Sequence, residues 1–212
     1  AAFAAPAAAV ADVATAADLS AVARTVPEGA RVAPTAAFDV GRPWELLEAT
    51  EAVLADAERS LDGDVHPNAE CRGAVVVEAG ARVDAGVVVE GPAVVASGSR
   101  VGPNAYVRGH TFLGTNTHVG NSVEIKNSVV LRGADVPHLS YVGDSVVGPG
   151  ANLGAGTIVA NLRHDDADVR VTHDGSRVST GRRKFGAVVG AGAKLGIGTR
   201  LNAGVTVGPD AT

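Results

Sequence analysis

The chain has 212 residues, enough for one or two domains with a core of their own. A formal net charge of −5 argues against a nucleic-acid-binding surface, and no apolar run approaches the length needed to cross a bilayer. Aromatics make up only 3% while glycine supplies 27 residues, a composition that suits repetitive β architecture better than an ordinary α/β core.

The opening stretch AAFAAPAAAVADVATAADL is rich in alanine, has no basic flank and contains Asp12 and Asp18, which argues against a secretion signal and makes the cytoplasm the expected location. The chain contains no Met, so its start is expected to be processed or internal. Next, P-W-E-L-L-E-A-T-E-A-V-L-A-D-A-E-R-S-L reads as one amphipathic helix over residues 43–62. Pro43 suits its first turn, Leu46, Leu47, Val53, Leu54, Ala57 and Leu61 form its apolar stripe, and Gly63 follows its end. From Val65 the pattern changes to a period of six. Aliphatic or small apolar residues recur without a miss at Val65, Cys71, Val77, Val83, Val89, Val95, Val101, Val107, Leu113, Val119 and Ile125. Cys71 therefore reads as a small buried hydrophobe, and a single cysteine allows no internal disulfide.

Neither a strand nor a helix has a period of six. A short strand followed by a tight turn does, and three such units close one triangular coil of a β-solenoid that buries one aliphatic per side. The step shortens by one residue from Ile125 to Val130 and again from Val142 to Val147. These two short hexads bracket V-P-H-L-S-Y, and they are expected to set the direction of His138 and Tyr141. A polar loop over 162–184 interrupts the coils, which resume through Val189, Leu195, Leu201 and Val207. L-G-I-G-T-R-L (195–201) superficially matches a nucleotide-binding loop, but it falls in hexad register and reads as another coil.

The hexad pattern resembles that of the hexapeptide-repeat acyltransferases, which implies a left-handed parallel β-helix. A narrower resemblance rests on R-G-H-T-F-L-G-T-N-T-H-V-G-N-S-V-E-I-K-N-S, V-P-H-L-S-Y-V-G-D-S, A-N-L-G-A-G-T, A-N-L-R and T-G-R-R-K-F-G-A-V-V-G. Together these are similar to the acetyltransferase domain of the archaeal-type bifunctional sugar-1-phosphate nucleotidyltransferase/amino-sugar-1-phosphate N-acetyltransferases. The resemblance covers about residues 63–212. F-D-V-G-R-P-W-E-L-L-E-A, ahead of it, resembles the end of the nucleotidyltransferase domain and its linker helix. The implied organisation is an α/β domain remnant over 1–42, a linker helix over 43–62 and a left-handed β-helix over 63–212 with its loop at 162–184. Nucleotidyl transfer is not expected of this chain.

The resemblance implies an acetyl-CoA-dependent N-acetyltransferase acting on glucosamine-1-phosphate or galactosamine-1-phosphate, assembled as a homotrimer with sites between prisms. It implies His138 as the base, Arg108 and Lys126 as phosphate anchors, and Tyr141, Asn152 and Lys184 as sugar-phosphate contacts. Asn161 is expected near the acetyl group of the co-substrate, and Arg182 and Arg183 at the phosphates of coenzyme A. No metal is expected for this chemistry, and the histidine and aspartates at 164–168 read as a solvated loop. The repeat itself adds one point: Arg108 and Lys126 lie 18 residues apart, one full coil, so they stack on one face. Stacked cations repel unless an anion joins them, and Glu124, close by, is expected to neutralise them in part or to contact the sugar. The competing reading is a truncated, non-catalytic paralogue that serves as an oligomerisation or regulatory subunit.

Overall fold

A computed structural model describes residues 38–212 apart from residue 174. The expected domain remnant over 1–42 thus lies for the most part outside the described residues. From Ser60 to Val207 the backbone winds as a left-handed parallel β-solenoid with three faces. Face A has eight strands, from Ser60–Leu61 to Val205–Val207. Face B has seven, from Asp64–Val65 to Lys194–Leu195, and face C has seven, from Glu70–Arg72 to Arg200–Leu201.

The period-six residues line the interior. From Val77 to Val159 each is at most 1% exposed. Fully burying a valine side chain is worth about 1.5–3 kcal/mol, so this single stack supplies most of the driving force for coiling. Val65, Cys71, Leu195, Leu201 and Val207 are only partly buried, because one neighbouring coil covers less of them than two would. L-G-I-G-T-R-L is coil, as its register requires: Leu195 and Leu201 end strands of faces B and C.

On face A the first strand aligns with residues 16 further on; from Val77 the step is 18 up to Leu113, as it is on face C up to Ile125, and then 17, as in Leu113 beside Val130 and Ile125 beside Val142. The two residues missing after Ile125 and Val142 both fall at the corner between faces C and A. The residues that follow Arg72 and Arg108 there are Gly73 and Gly109, with φ of 74° and 67°. In the shortened coils the same left-handed place is taken by Asn127 (φ 46°) and Asp144 (φ 50°). Hydroxyls repair the tightened corner: Ser145 N–H donates to Ser128 Oγ at 3.0 Å, and Ala187 N–H donates to Ser145 Oγ at 3.0 Å. The short hexads therefore act on Asn127 and Asp144. They do not directly aim His138, which lies on the opposite corner, between faces B and C.

Helix α1 spans Glu45–Ala55 and stops well short of Leu61. At its start Glu45 Oε2 accepts the backbone N–H groups of Gly41 and Arg42, both at 2.8 Å, which ties the entering chain to the helix, while the N–H groups of Glu45, Leu46 and Leu47 donate to the carbonyls of Arg42, Pro43 and Trp44. Its end is set from outside the helix. Leu61 pairs with Val77 as the first strand of face A, a non-local partner that overrides the continuing apolar spacing. Val53, expected on the buried stripe, is exposed. Gly63 is not a helix cap; a Cβ there would meet Ala81 O at 2.6 Å, so it permits the first coil to close on the second.

The polar loop contains an antiparallel hairpin, Arg170–His173 with Ser176–Ser179. Its Val169 and Val171 join Phe185, Trp44 and Leu47 over Val129 and Val146 of face A, a second core outside the prism. Trp44 meets Phe185 edge-on, with ring centroids 6.3 Å apart.

Candidate functional site

Face C presents two outward columns. One runs Tyr106, Glu124, Tyr141, and the other Arg108, Lys126, Gly143. Lys126 lies directly beside Arg108 in the next coil, as the repeat requires. Each cation already has a carboxylate. Arg108 donates to Glu124 Oε1 from Nε at 2.9 Å and from Nη2 at 2.8 Å, and its guanidinium lies 5.5 Å over the Tyr106 ring. Burial works most strongly against the Arg108 charge, but the Glu124 hydrogen bond and the negative charge of Glu124 together outweigh it and keep the group cationic. Lys126 Nζ donates to Asp144 Oδ2 at 2.7 Å. The stacked pair therefore does not depend on an external anion: Glu124, expected to neutralise it in part, and Asp144 relieve the repulsion internally.

Asp144 is the centre of the arrangement. It is 2% exposed and accepts from Lys126, from Asn161 Nδ2 at 2.5 Å and from Asn127 Nδ2 at 3.0 Å. Asn161 Nδ2 also donates to the Tyr141 hydroxyl at 3.1 Å. Tyr141 folds back across the next position of the cation column. A Cβ on Gly143 would lie 2.5 Å from the Tyr141 hydroxyl and 2.7 Å from Asn161 Nδ2, so only glycine admits this ring. Burial, then the negative charges of Asp144 and Glu124, push the Tyr141 hydroxyl above its ordinary value of 10.0, so it remains a proton donor at neutral pH. Two cations, a phenol donor and an amide thus converge on one patch of face C, a donor set suited to an anionic oxygen.

His138 closes a strand of face B and is exposed at the corner leading to Tyr141. Its carbonyl accepts the N–H of Gly156 at 3.1 Å, which fixes the backbone. The next residue, Leu139, has φ of 50° and is 64% exposed, at a corner where the following coils have Gly156 and Gly198. A bulky apolar residue in the left-handed region is strained, and such strain gathers at functional sites.

The remaining expected residues divide. Asn161 joins Tyr141 and Asp144. Lys184 pairs its backbone with Leu162, closing the loop beside Asn161, and its side chain is exposed. Asn152 does not join them: it lies on face B, in register with Asp135 and Lys194. Arg182 and Arg183 were expected at coenzyme A phosphates, and here both have carboxylate partners. The Arg182 guanidinium is gripped by Glu51 of helix α1, while Arg183 pairs with Asp166 at 2.6 Å on the surface. Asp165 is likewise taken by Arg163. Among the described residues, no three His, Cys, Asp or Glu side chains converge on a metal position.

Sequence reasoning missed Asn127, Glu51 and the part played by Asp144. The available signal was the pair of one-residue deletions, which replace a recurring corner glycine by Asn and Asp. Glu51 carries no local signal at all.

Several known proteins resemble this chain. The bifunctional sugar-1-phosphate nucleotidylyltransferase/acetyltransferase of Sulfurisphaera tokodaii is 42% identical over 172 residues, covering 81% of this chain and 43% of the relative. The bifunctional protein GlmU of Methanocaldococcus jannaschii is 45% identical over 170 residues, covering 80% of this chain and 41% of the relative. The chain thus spans less than half the length of these curated relatives. A Bacillus cereus protein solved as a candidate acetyltransferase superposes with a TM-score of 0.50 at 18% identity, over 67% of this chain and 76% of that one, a likeness of fold alone. A family model described as the GMPPB C-terminal domain matches residues 89–212, which include the whole face-C site, and the chain belongs to that family.

Proposed function

We propose that the solenoid is an acetyl-CoA-dependent N-acetyltransferase whose acceptor is an amino-sugar 1-phosphate, glucosamine-1-phosphate or galactosamine-1-phosphate. What carries this reading is the register that sets Lys126 beside Arg108, with Tyr141 and Asn161 folded against them. The activities in the relatives' names, sugar-1-phosphate nucleotidyl transfer and acetyl transfer, point to the same substrate class.

In this reading Arg108 and Lys126 receive the phosphate and Tyr141 donates its O–H to it. Glu124 and Asp144 keep the cations apart and in place. The amino group of such a sugar is largely protonated near neutral pH, so a base must free its lone pair. His138 accepts that proton. The amine then attacks the thioester carbonyl, a C–N bond forms and the C–S bond breaks. The proton lost from nitrogen ends on the departing thiolate, giving an N-acetyl sugar phosphate and free thiol. Backbone N–H groups at a coil corner steady the developing oxyanion. Asn152 faces away on face B, so it enters the pocket from a second copy, and a homotrimer forms three such pockets between prisms.

Release of free thiol from acetyl-CoA with each sugar phosphate tests the reading. Turnover with at least one of them, reduced about a hundredfold or more by His138→Ala, is expected. No turnover with either sugar, or an unchanged rate in the variant, would overturn it.

A further inference from the structure

We infer that Asp144 and Glu51 form a positioning relay that sets the phosphate-binding side chains from helix α1, so that sugar-phosphate affinity depends on how this helix is docked. The inference rests on the reading of face C given above. The hydrogen bonds are continuous. Glu51 Oε1 accepts from Asn127 Nδ2 at 2.8 Å, and the same Nδ2 donates to Asp144 Oδ1 at 3.0 Å. Asp144 Oδ2 in turn holds Lys126 Nζ and Asn161 Nδ2, and Asn161 holds Tyr141. At the far end Glu51 is fixed by both terminal nitrogens of Arg182, at the base of the loop. Helix, loop and three coils thus meet through two carboxylates.

Two features separate this chain of contacts from ordinary surface pairing. The first is backbone. Asn127 and Asp144 occupy stacked left-handed positions that the repeat elsewhere gives to glycine, and each sits at a coil one residue short. Asn and Asp are the side chains this region tolerates best after glycine, so the shortened corners place an amide and a carboxylate where Gly73 and Gly109 have none. The second is burial. Lys126 is only 17% exposed and Asp144 3% at its side chain, so water does not choose where the ammonium points. A buried carboxylate must be matched by donors, and Asp144 has three, one on Lys126, assigned to the phosphate, and one on Asn161, expected near the acetyl group.

Neither Asp144 nor Glu51 has a substrate role in this scheme; both act through Lys126, Tyr141 and Asn161. Asp144→Asn is therefore expected to raise KM for the amino-sugar phosphate about tenfold and Glu51→Gln about threefold, with a smaller rise in KM for acetyl-CoA, which the relay reaches only through Asn161. The double variant is expected to be no worse than Asp144→Asn, because both changes break one chain of contacts. Glu51→Asp, which keeps the charge, is expected to recover part of the loss. Additive losses, or equal changes in KM for both substrates, would overturn the relay. A second readout does not need turnover: amine-reactive labelling of Lys126, followed by peptide mass spectrometry with Lys194, exposed on face B, as internal reference. Labelling of Lys126 is expected to rise several-fold in Asp144→Asn and less in Glu51→Gln. If wild type turns over neither sugar, the acetyltransferase reading falls, and the labelling ratio still decides the relay. Unchanged labelling in Asp144→Asn sinks it whatever the turnover.

Discussion

Two pairs of stacked cations sit on this solenoid, and they differ in what surrounds them. On face B, Arg82 and Arg100 are aligned in adjacent coils and share one carboxylate, Asp84, at 2.7 Å each. On face C, Arg108 and Lys126 are aligned in the same way, but each has its own carboxylate. The side chains of Arg82 and Arg100 are 58% and 55% exposed and end at Asp84. Lys126 is one node of a partly buried network that includes a phenol and an amide. Stacking of positive charge therefore does not by itself mark an anion site. Directed neutral donors, a glycine that makes room for one of them, and an adjacent exposed histidine do.

The largest expected effect separates the two pairs kinetically. Lys126→Ala should lower kcat/KM for the amino-sugar phosphate by about a hundredfold, ~2–3 kcal/mol of lost charge-assisted contact. Arg82→Ala should leave steady-state kinetics unchanged. Gly143→Ala should come next, raising KM about tenfold as the new methyl group displaces Tyr141 and Asn161. A smaller effect belongs to face B and to stability alone. Asp84→Asn should cost about 1–2 kcal/mol in denaturant unfolding, limited because water screens both exposed arginines, with kinetics unaffected.

The smallest is a pH effect common to both regions. Burial raises the Asp84 carboxyl, but hydrogen bonds from Arg82 and Arg100 outweigh it and hold the group below its ordinary 3.8. Burial likewise opposes Glu51, while Arg182 and Asn127 hold it below 4.5. A carboxyl lowered on folding contributes stability that is present above its ordinary value and lost as pH falls through the folded one. Unfolding free energy should thus decline as pH falls below about 4.5. The decline should be shallower in Asp84→Asn and in Glu51→Gln, as denaturant titrations across that range would read.

Much of the fold was legible because one rule repeats. A period of six fixes the interior residue of every side, and the one-coil spacing places Lys126 beside Arg108 without any structure. The hairpin also had a signal: V-R-V-T-H and S-R-V-S flank a D-G pair, the composition of a tight β-turn. What escaped depends on partners distant in sequence. Helix α1 ends at Ala55 because Leu61 belongs to Val77, and no spacing rule within the helix says so. Arg182 looks like a free loop cation until the fold brings Glu51, 131 residues earlier, against it. Asp144 satisfies every expectation for a turn residue, and only the coils on either side reveal what its carboxylate holds. Asn152 shares a family-like motif with Asn161, yet the prism turns the two onto different faces.

The central claim is that the phosphate of an amino sugar is held on face C. The most direct measurement is a structure of the wild-type assembly soaked with glucosamine-1-phosphate. Phosphate oxygens within hydrogen-bond distance of Arg108, Lys126 and the Tyr141 hydroxyl, with the amino group toward His138, are the expected result. Phosphate seated on Arg82 and Arg100, or a sugar whose amine lies away from His138, would contradict the account.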